Sequence, residues 1–379
     1  MPLSPLRPFP NAFAMAPTAT EVKTMNEPPS TGFLWEQLRQ YSEIQERGRS
    51  LFVGKLGQRN TLWIEFRNYV RQAKAYFDGA EHVQGSSAAL LYYYSFLNLA
   101  KAELLRSVSS QIVGVEVHHG LTYRPADART IRGDVVRVRS GVFSLLYRAR
   151  TGHTAPSAAP LRIPRVLGSI PGIGWELTQT AIARPRCARI CSIVAVDQTQ
   201  MWSFLALDES LPGSHAAFRK LLNAHYEQTN RPLRELIRLG TFSLAPWTFW
   251  QSRWTIPRVH LSAPSADEGL EVCRRAWAEL SPSIDASHIP GIDALLTTGL
   301  SSTTVAPMPS TLASYVAIFY LSSLVRYKPQ QLDPQRFASQ AWLMDCLARE
   351  TSLPLLARAV SCITDTTVAF SPTTGVIRI

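Results

Sequence analysis

The stretch SSAALLYYYSFLNLAKAELLRSV, beginning at Ser86 or Ser87 and ending at Val108, sets the terms for the whole chain. Over about five turns its apolar residues go nearly all round, so no face is left for water. Such a helix is stable only between other helices. Two amphipathic segments before it supply neighbours. FLWEQLRQYSEIQERGR puts Leu34, Leu38 and Tyr41 on one face. NTLWIEFRNYVRQAKAYFDGAE does the same with Leu62, Phe66, Tyr69, Val70, Ala73 and Phe77, with Asn60 or Thr61 as N-cap and Gly79 as the stop. A last helical block of two or three helices is expected from Pro309 to Cys362. Its most apolar part, Ser310–Val325, is 16 residues long and carries several hydroxyls. That is short of the ~20 apolar residues a membrane span needs, so it reads as a buried helix.

Between these blocks the texture changes. VGVEVHHGLTY reads as extended, and Val135, Val136 and Val138 as a strand closed by a turn at Gly141. From Val166 to about Leu261, β-like runs (TQTAIA, ICSIVAV, MWSFLAL) alternate with one helix, SHAAFRKLLNAHYEQT. The final TTVAFSPTTGVIRI reads as a hairpin. The expected fold class is therefore mainly α (α+β). The expected layout is a disordered leader over 1–30, an N-terminal helical part over 31–123, an Arg-rich, mixed α/β insertion over 124–305 and a C-terminal helical block over 306–379. The last three are expected to form one compact unit. The leader is proline-rich and has no long apolar core, so it is not a signal peptide, and Met15 and Met25 are alternative starts. Scattered cysteines without metal spacing read as reduced structural thiols, which with the missing membrane span points to a cytoplasmic protein.

The formal charge is +11, and 33 of the 39 basic residues are Arg. A GC-rich genome produces such a preference without any function, but it does not remove acids. In Leu121–Arg165 nine arginines face two aspartates, with no Glu or Lys, so this window carries +7 of the +11. Arg124, Arg129, Arg132, Arg137, Arg139, Arg148 and Arg150 are accordingly candidates for contact with a polyanion.

LLYYYSFLNLAKAELL, HHGLTY and FYLSSLVRYKPQQL, with SGVFSLLYRA and VLGSIPGIGWEL between them, together resemble the YaaC-like protein family of bacteria. The resemblance covers roughly Phe33 to Cys362. It implies no agreed reaction, and the company such proteins keep points to bacterial stress or antiphage defence. The first two motifs also look, more loosely, like the helix pair and His-Gly turn of HEPN domains, helical modules found in ribonucleases.

HEPN ribonucleases place Arg four to six residues before His. That spacing occurs at Arg148–His153, Arg219–His225 and Arg253–His260, where about two matches are expected by chance. Only Arg219–His225 lies on an expected helix, so Arg219, His225 and His119 are the catalytic candidates for a metal-independent ribonuclease. A binding site is the preferred reading. Tyr94, Asn98 and Lys101 share one helical stripe, and Tyr315, Phe319, Ser322 or Ser323, and Arg326 form another, with Tyr327 beside it. If these helices meet, Asn98, Lys101, His119 and Arg326 ring a cationic pocket suited to phosphate. The alternative is that Asn98 and Arg326 cross-link helix ends while Lys101 reaches out to water. His118 and His119 are acid/base groups or a turn in which a ring caps the backbone. GSIPGIG lacks the order of a phosphate loop. Trp247, Trp250 and Trp254 are base-stacking residues or aromatic core. No metal or cofactor is expected. The partner is a nucleotide, RNA or an acidic protein, and a purely structural subunit is the remaining alternative.

Overall fold

The computed structural model describes residues 7–8, 21–25, 30–114, 117–124, 131–157, 159–196, 200–208, 219, 222–223, 226–229, 247–257, 275, 284–286, 293–297, 308–370 and 375–378. Two strands come first, β1 (Arg7–Pro8) and β2 (Glu21–Met25), then α1 (Thr31–Glu43) and α2 (Gln45–Arg49). Helix α1 starts where the Ser30 hydroxyl accepts from the Phe33 N–H at 3.2 Å, an N-cap that removes one orphan donor. It buries Leu34, Trp35 and Leu38. Helix α3 (Leu56–Glu81) buries Trp63, Phe66, Val70, Ala73, Phe77 and Ala80, an alternation of three- and four-residue steps that keeps one stripe inward. It begins one turn before Asn60, because the Gln58 side chain accepts from the Lys55 N–H. It also runs through Gly79.

Helix α4 (Ala89–Val108) is the central element, buried on nearly every side. A short 3-10 turn over Gly85–Ala88 leads into it, held by Asp345 Oδ1, which accepts from the Ser86 N–H at 2.6 Å. Small residues let α3 and α4 approach closely, and the Ser95 hydroxyl donates to the Ala73 carbonyl at 2.8 Å. Next come β3 (Leu121–Arg124), β4 (Val135–Val138), α5 (Val142–Thr151), β5 (Leu161–Arg162), α6 (Ile163–Gly168) and α7 (Gly174–Thr180). TQTAIA, read as β-like, instead supplies the last turn of α7. The hydroxyls of Thr178 and Thr180 bond back to carbonyls of the preceding turn, Gly174 and Glu176.

Strands β6 (Cys187–Val196), β7 (Gln200–Asp208), β8 (Tyr226–Thr229), β9 (Trp247–Ser252), β10 (Ile256–Pro257), β11 (Ile284–Ala286) and β12 (Asp293–Thr297) follow. They form an antiparallel sheet in the order β11-β12-β6-β7-β9-β8, with β1 added to β6 and β10 to β7. The expected helix at SHAAFRKLLNAHYEQT is helical at Arg219, Leu222 and Asn223, but its end is β8, paired with β9.

The C-terminal block holds α8 (Ser310–Tyr327) and α9 (Pro334–Thr364). Every residue of α8 from Ser310 to Leu324 is buried, and among the described residues no helix is long and apolar enough to cross a membrane. Helix α9 starts at Asp333, whose carboxylate accepts from the Gln335 N–H at 2.9 Å, and its other end is held by Arg106, which donates to the Cys362 and Ile363 carbonyls. Strands β13 (Thr366–Phe370) and β14 (Gly375–Arg378) close the chain. They do not pair with each other as a hairpin: β2 lies between them, parallel to β13 and antiparallel to β14. Part of the segment read as a leader is thus a central strand. One connected core takes in side chains from Leu34 to Ile363. The architecture is mainly α with a mixed β-containing insertion.

Candidate functional site

The turn between α4 and β3 is built around two glycines with positive φ, Gly120 at +78° and Gly141 at +145°. Their backbones touch, and a Cβ on Gly141 would collide with the His118 carbonyl and the Gly120 backbone. This close approach lets the His118 and His119 carbonyls accept from the Val142 and Phe143 N–H groups at 2.8 and 3.1 Å, so the histidine turn caps the start of α5.

The His119 ring is fixed from several sides. Its Nδ1 accepts from the Leu121 N–H at 3.2 Å, which in the neutral ring leaves the proton on Nε2. The ring packs against Phe319 of α8 at 5.3 Å and Tyr93 of α4 at 6.3 Å. Burial lowers its pKa, and the positive charges of Arg326 and His118 lower it further. Arg326 stands at the exposed end of α8. Its Nε donates to the Ser322 carbonyl at 3.2 Å, and its guanidinium lies over the Tyr327 ring, which is 66% exposed. Among the described residues no carboxylate pairs with it. Tyr93 lies beneath, packed on Phe319 and Tyr315, and its hydroxyl has no hydrogen-bond partner among the described residues. Burial raises the Tyr93 pKa and the Arg326 charge opposes that, so the phenol and the guanidinium are electrostatic neighbours. His119, Arg326, Tyr93 and Tyr327 therefore form a cationic cluster where α4, the histidine turn and α8 meet.

The other residues of the expected pocket have different neighbours. Tyr94 packs on Tyr76 of α3 at 5.5 Å, and Lys101 Nζ lies over the Tyr69 ring of α3 at 5.5 Å. Burial alone lowers the Lys101 pKa, with no cation contributing, whereas Arg326 acts on His119. Asn98 is buried, and its Nδ2 donates to the Tyr94 carbonyl at 2.9 Å, so the amide is spent within its own helix. Helices α4 and α8 do meet, but through Tyr93, one position round the helix from Tyr94. On a helix apolar nearly all round, periodicity cannot separate these two neighbours.

The arginine window divides. Arg150 is not available to a polyanion: it grips Glu103 at 3.0 and 2.7 Å, with both side chains under 8% exposed. Arg132 is exposed and donates to the Ala181 carbonyl at 2.8 Å. Arg137, Arg139 and Arg148 are exposed. Arg124 is described by its backbone alone, in β3, and Arg129 lies outside the described residues. A residue that sequence reasoning passed over, Asp134, is fully buried and accepts from the hydroxyls of Tyr123 at 2.8 Å and Tyr320 at 2.7 Å. The Asp in an acid-poor window was its one signal.

Of the ribonuclease candidates, Arg219 is an exposed helical residue, and His225 and His260 lie outside the described residues. Arg253 donates to the Asn223 carbonyl at 3.1 Å. Arg148 and His153 straddle the end of α5, where Gly152 has φ +71°. Trp250 is wholly buried and its Nε1 donates to Asn223 Oδ1 at 3.0 Å, as core. The guanidinium of Arg275 sits over the half-buried Trp254, 4.5 Å from the ring centroid, and the Trp247 side chain is outside the described residues. GSIPGIG joins α6 to α7 through a 3-10 turn, with the Arg186 N–H on the Gly168 carbonyl at 2.6 Å.

No curated protein and no solved structure matches this chain. The HEPN likeness gains no support from the comparisons. A family model described as YaaC-like protein matches residues 59–335, which include every motif on which the resemblance was drawn. The match is narrower than the stretch from Phe33 to Cys362 and still covers most of the sequence; the chain belongs to the YaaC-like protein family.

Proposed function

We propose that this protein is a binding module whose ligand carries a phosphate, a nucleotide being the best chemical match, and that the ligand sits at His119, Arg326, Tyr93 and Tyr327. The observation that carries the reading is the Arg326 guanidinium, exposed and without a carboxylate among the described residues, beside a neutral imidazole and an unpartnered phenol. Arg offers a planar fork to phosphate oxygens and His119 Nε2–H is a further donor, with the buried Tyr93 ring as the floor beneath them. The exposed Tyr327 ring gives a base or sugar a surface to lie on. Binding rather than catalysis is favoured because the groups that converge here are donors, and none of the carboxylates described near them is free to act as a base: Asp134 accepts from two phenols and Glu103 is held by Arg150.

Isothermal titration of the whole chain with ATP, AMP, inorganic phosphate and uridine tests this. ATP or AMP should bind and uridine should not. Arg326→Ala should weaken binding about tenfold or more, the scale of a lost charge-assisted hydrogen bond. Equal binding of uridine and AMP, or an unchanged affinity in Arg326→Ala, would reject the reading.

A further inference from the structure

A second basic feature lies on the sheet β3-β4-β5. Its inner face is apolar: Leu121, Val136, Val138 and Leu161 are buried. Directly paired residues of an antiparallel sheet point to the same side, and alternate residues along a strand return to it. Val135 is paired with Arg124 on one flank and Arg162 on the other, and Arg137 with Thr122. The ladder runs one step further, since the Arg139 N–H donates to the Gly120 carbonyl at 2.8 Å, which returns Arg139 to the side of Arg137. Arg137, Arg139 and Arg162 are exposed, and among the described residues none is paired with a carboxylate. Asp134, the acid closest in sequence, is fully buried against two tyrosines and cannot neutralise this face.

We infer that the outer face of β3-β4-β5 is a docking surface for single-stranded RNA, gripped by its phosphates through Arg137, Arg139 and Arg162. Along β4 the two arginines stand about 6.7 Å apart, two strand residues, and successive phosphates of an extended strand fall at comparable distances. The face is only about 10 Å wide, two strand spacings, which suits one phosphodiester chain better than a duplex. An acidic peptide fits less well. Strand β5 pairs with β4 only at Val135 and Val136, so among the described residues the β4 edge on that side has no strand partner beside Arg137 and Arg139. A peptide added there would need an acid at every second residue to meet these arginines, whereas a phosphodiester carries a charge at every nucleotide. Thr122 and Val135 offer no ring for stacking, so recognition is of the backbone and independent of sequence. Arg139 reaches the histidine turn through Gly120, but docking through the sheet arginines does not depend on the Arg326 cluster.

Fluorescence anisotropy of labelled oligouridylate with the full chain tests the inference. The triple variant R137E/R139E/R162E should bind about tenfold more weakly or worse, and its plot of log affinity against log salt should be shallower by about 2, from roughly 0.7 per lost phosphate contact. R137K/R139K/R162K keeps the charges and should stay close to the parent, which guards against a folding defect in the glutamate variant. R39E/R336E/R349E, equal in charge but placed on exposed helix positions, should leave binding within about twofold, as expected where no phosphate contact is lost. The inference fails if the parent does not bind, if the sheet variant binds as well as the parent, or if the helix variant loses as much. It fails also if polyglutamate competes as well as oligouridylate per charge, which would mark the face as a site for acidic protein.

Discussion

Arg150 on α5 and Glu103 on α4 form a two-pronged ion pair inside the protein, at 3.0 and 2.7 Å, and Arg150 also reaches the Thr311 hydroxyl of α8 at 3.5 Å. One arginine thus links three helices, including the two that carry Tyr93 and Arg326. Its neighbours Arg148 and Arg139 face solvent, so residues of one type in one short window do opposite things.

Breaking this pair should be costly and removing it whole should not. Arg150→Met leaves a buried carboxylate without its partner and should destabilise the fold by about 3–5 kcal/mol, whereas Glu103→Leu with Arg150→Met should recover most of that. Urea denaturation of the parent, both single variants and the pair measures the coupling. A double variant as unstable as the sum of the singles would refute the arrangement.

His119 should make both stability and binding depend on pH. Its folded-state pKa lies below the ordinary value of about 6.5, so the unfolded chain takes up the proton first. The contribution to stability is therefore complete above about pH 6.5 and is lost as pH falls towards and through the folded value. NMR of the ring should show a depressed titration, and Arg326→Gln should move it upward by removing a neighbouring positive charge. A bound phosphate should also raise it, so nucleotide affinity should increase as the solution is acidified from pH 8 to about pH 6. An unshifted midpoint in Arg326→Gln would contradict the electrostatic coupling of the two residues.

Asp134 should matter to the junction between β4 and α8. Asp134→Asn removes the charge that both phenols address and should cost about 2–3 kcal/mol, while Tyr320→Phe should cost about 1.5 kcal/mol or more. In a double-mutant cycle the two should fall short of additivity, because they remove the same hydrogen bond. Strict additivity in thermal or urea unfolding would show that Tyr320 and Asp134 act independently. Burial and the Asp134 charge both raise the pKa of Tyr123 and Tyr320, so neither phenol should ionise in the folded protein at neutral pH.

The helical elements could be read from the chain because their determinants are local. The stripe from Trp63 to Ala80, the all-round apolar α4 and the hydroxyl-bearing but buried α8 each declare themselves within a few turns, and Val135 to Val138 with Gly141 mark a strand and its turn in the same way. That His119 and Arg326 would be electrostatic neighbours was legible, since each lies at the end of an element whose partner could be inferred. What tertiary structure alone decided was which neighbour each polar group met. Tyr93 rather than Tyr94 faces α8, Lys101 turns to Tyr69 on α3, Arg150 goes inward to Glu103, and β2 enters between β13 and β14 from more than 300 residues away in sequence. Periodicity records how a residue is placed on its own helix or strand. The partner of a buried charge or an unpaired strand edge is chosen by desolvation and hydrogen bonding across the fold, and those costs depend on groups that no local pattern contains.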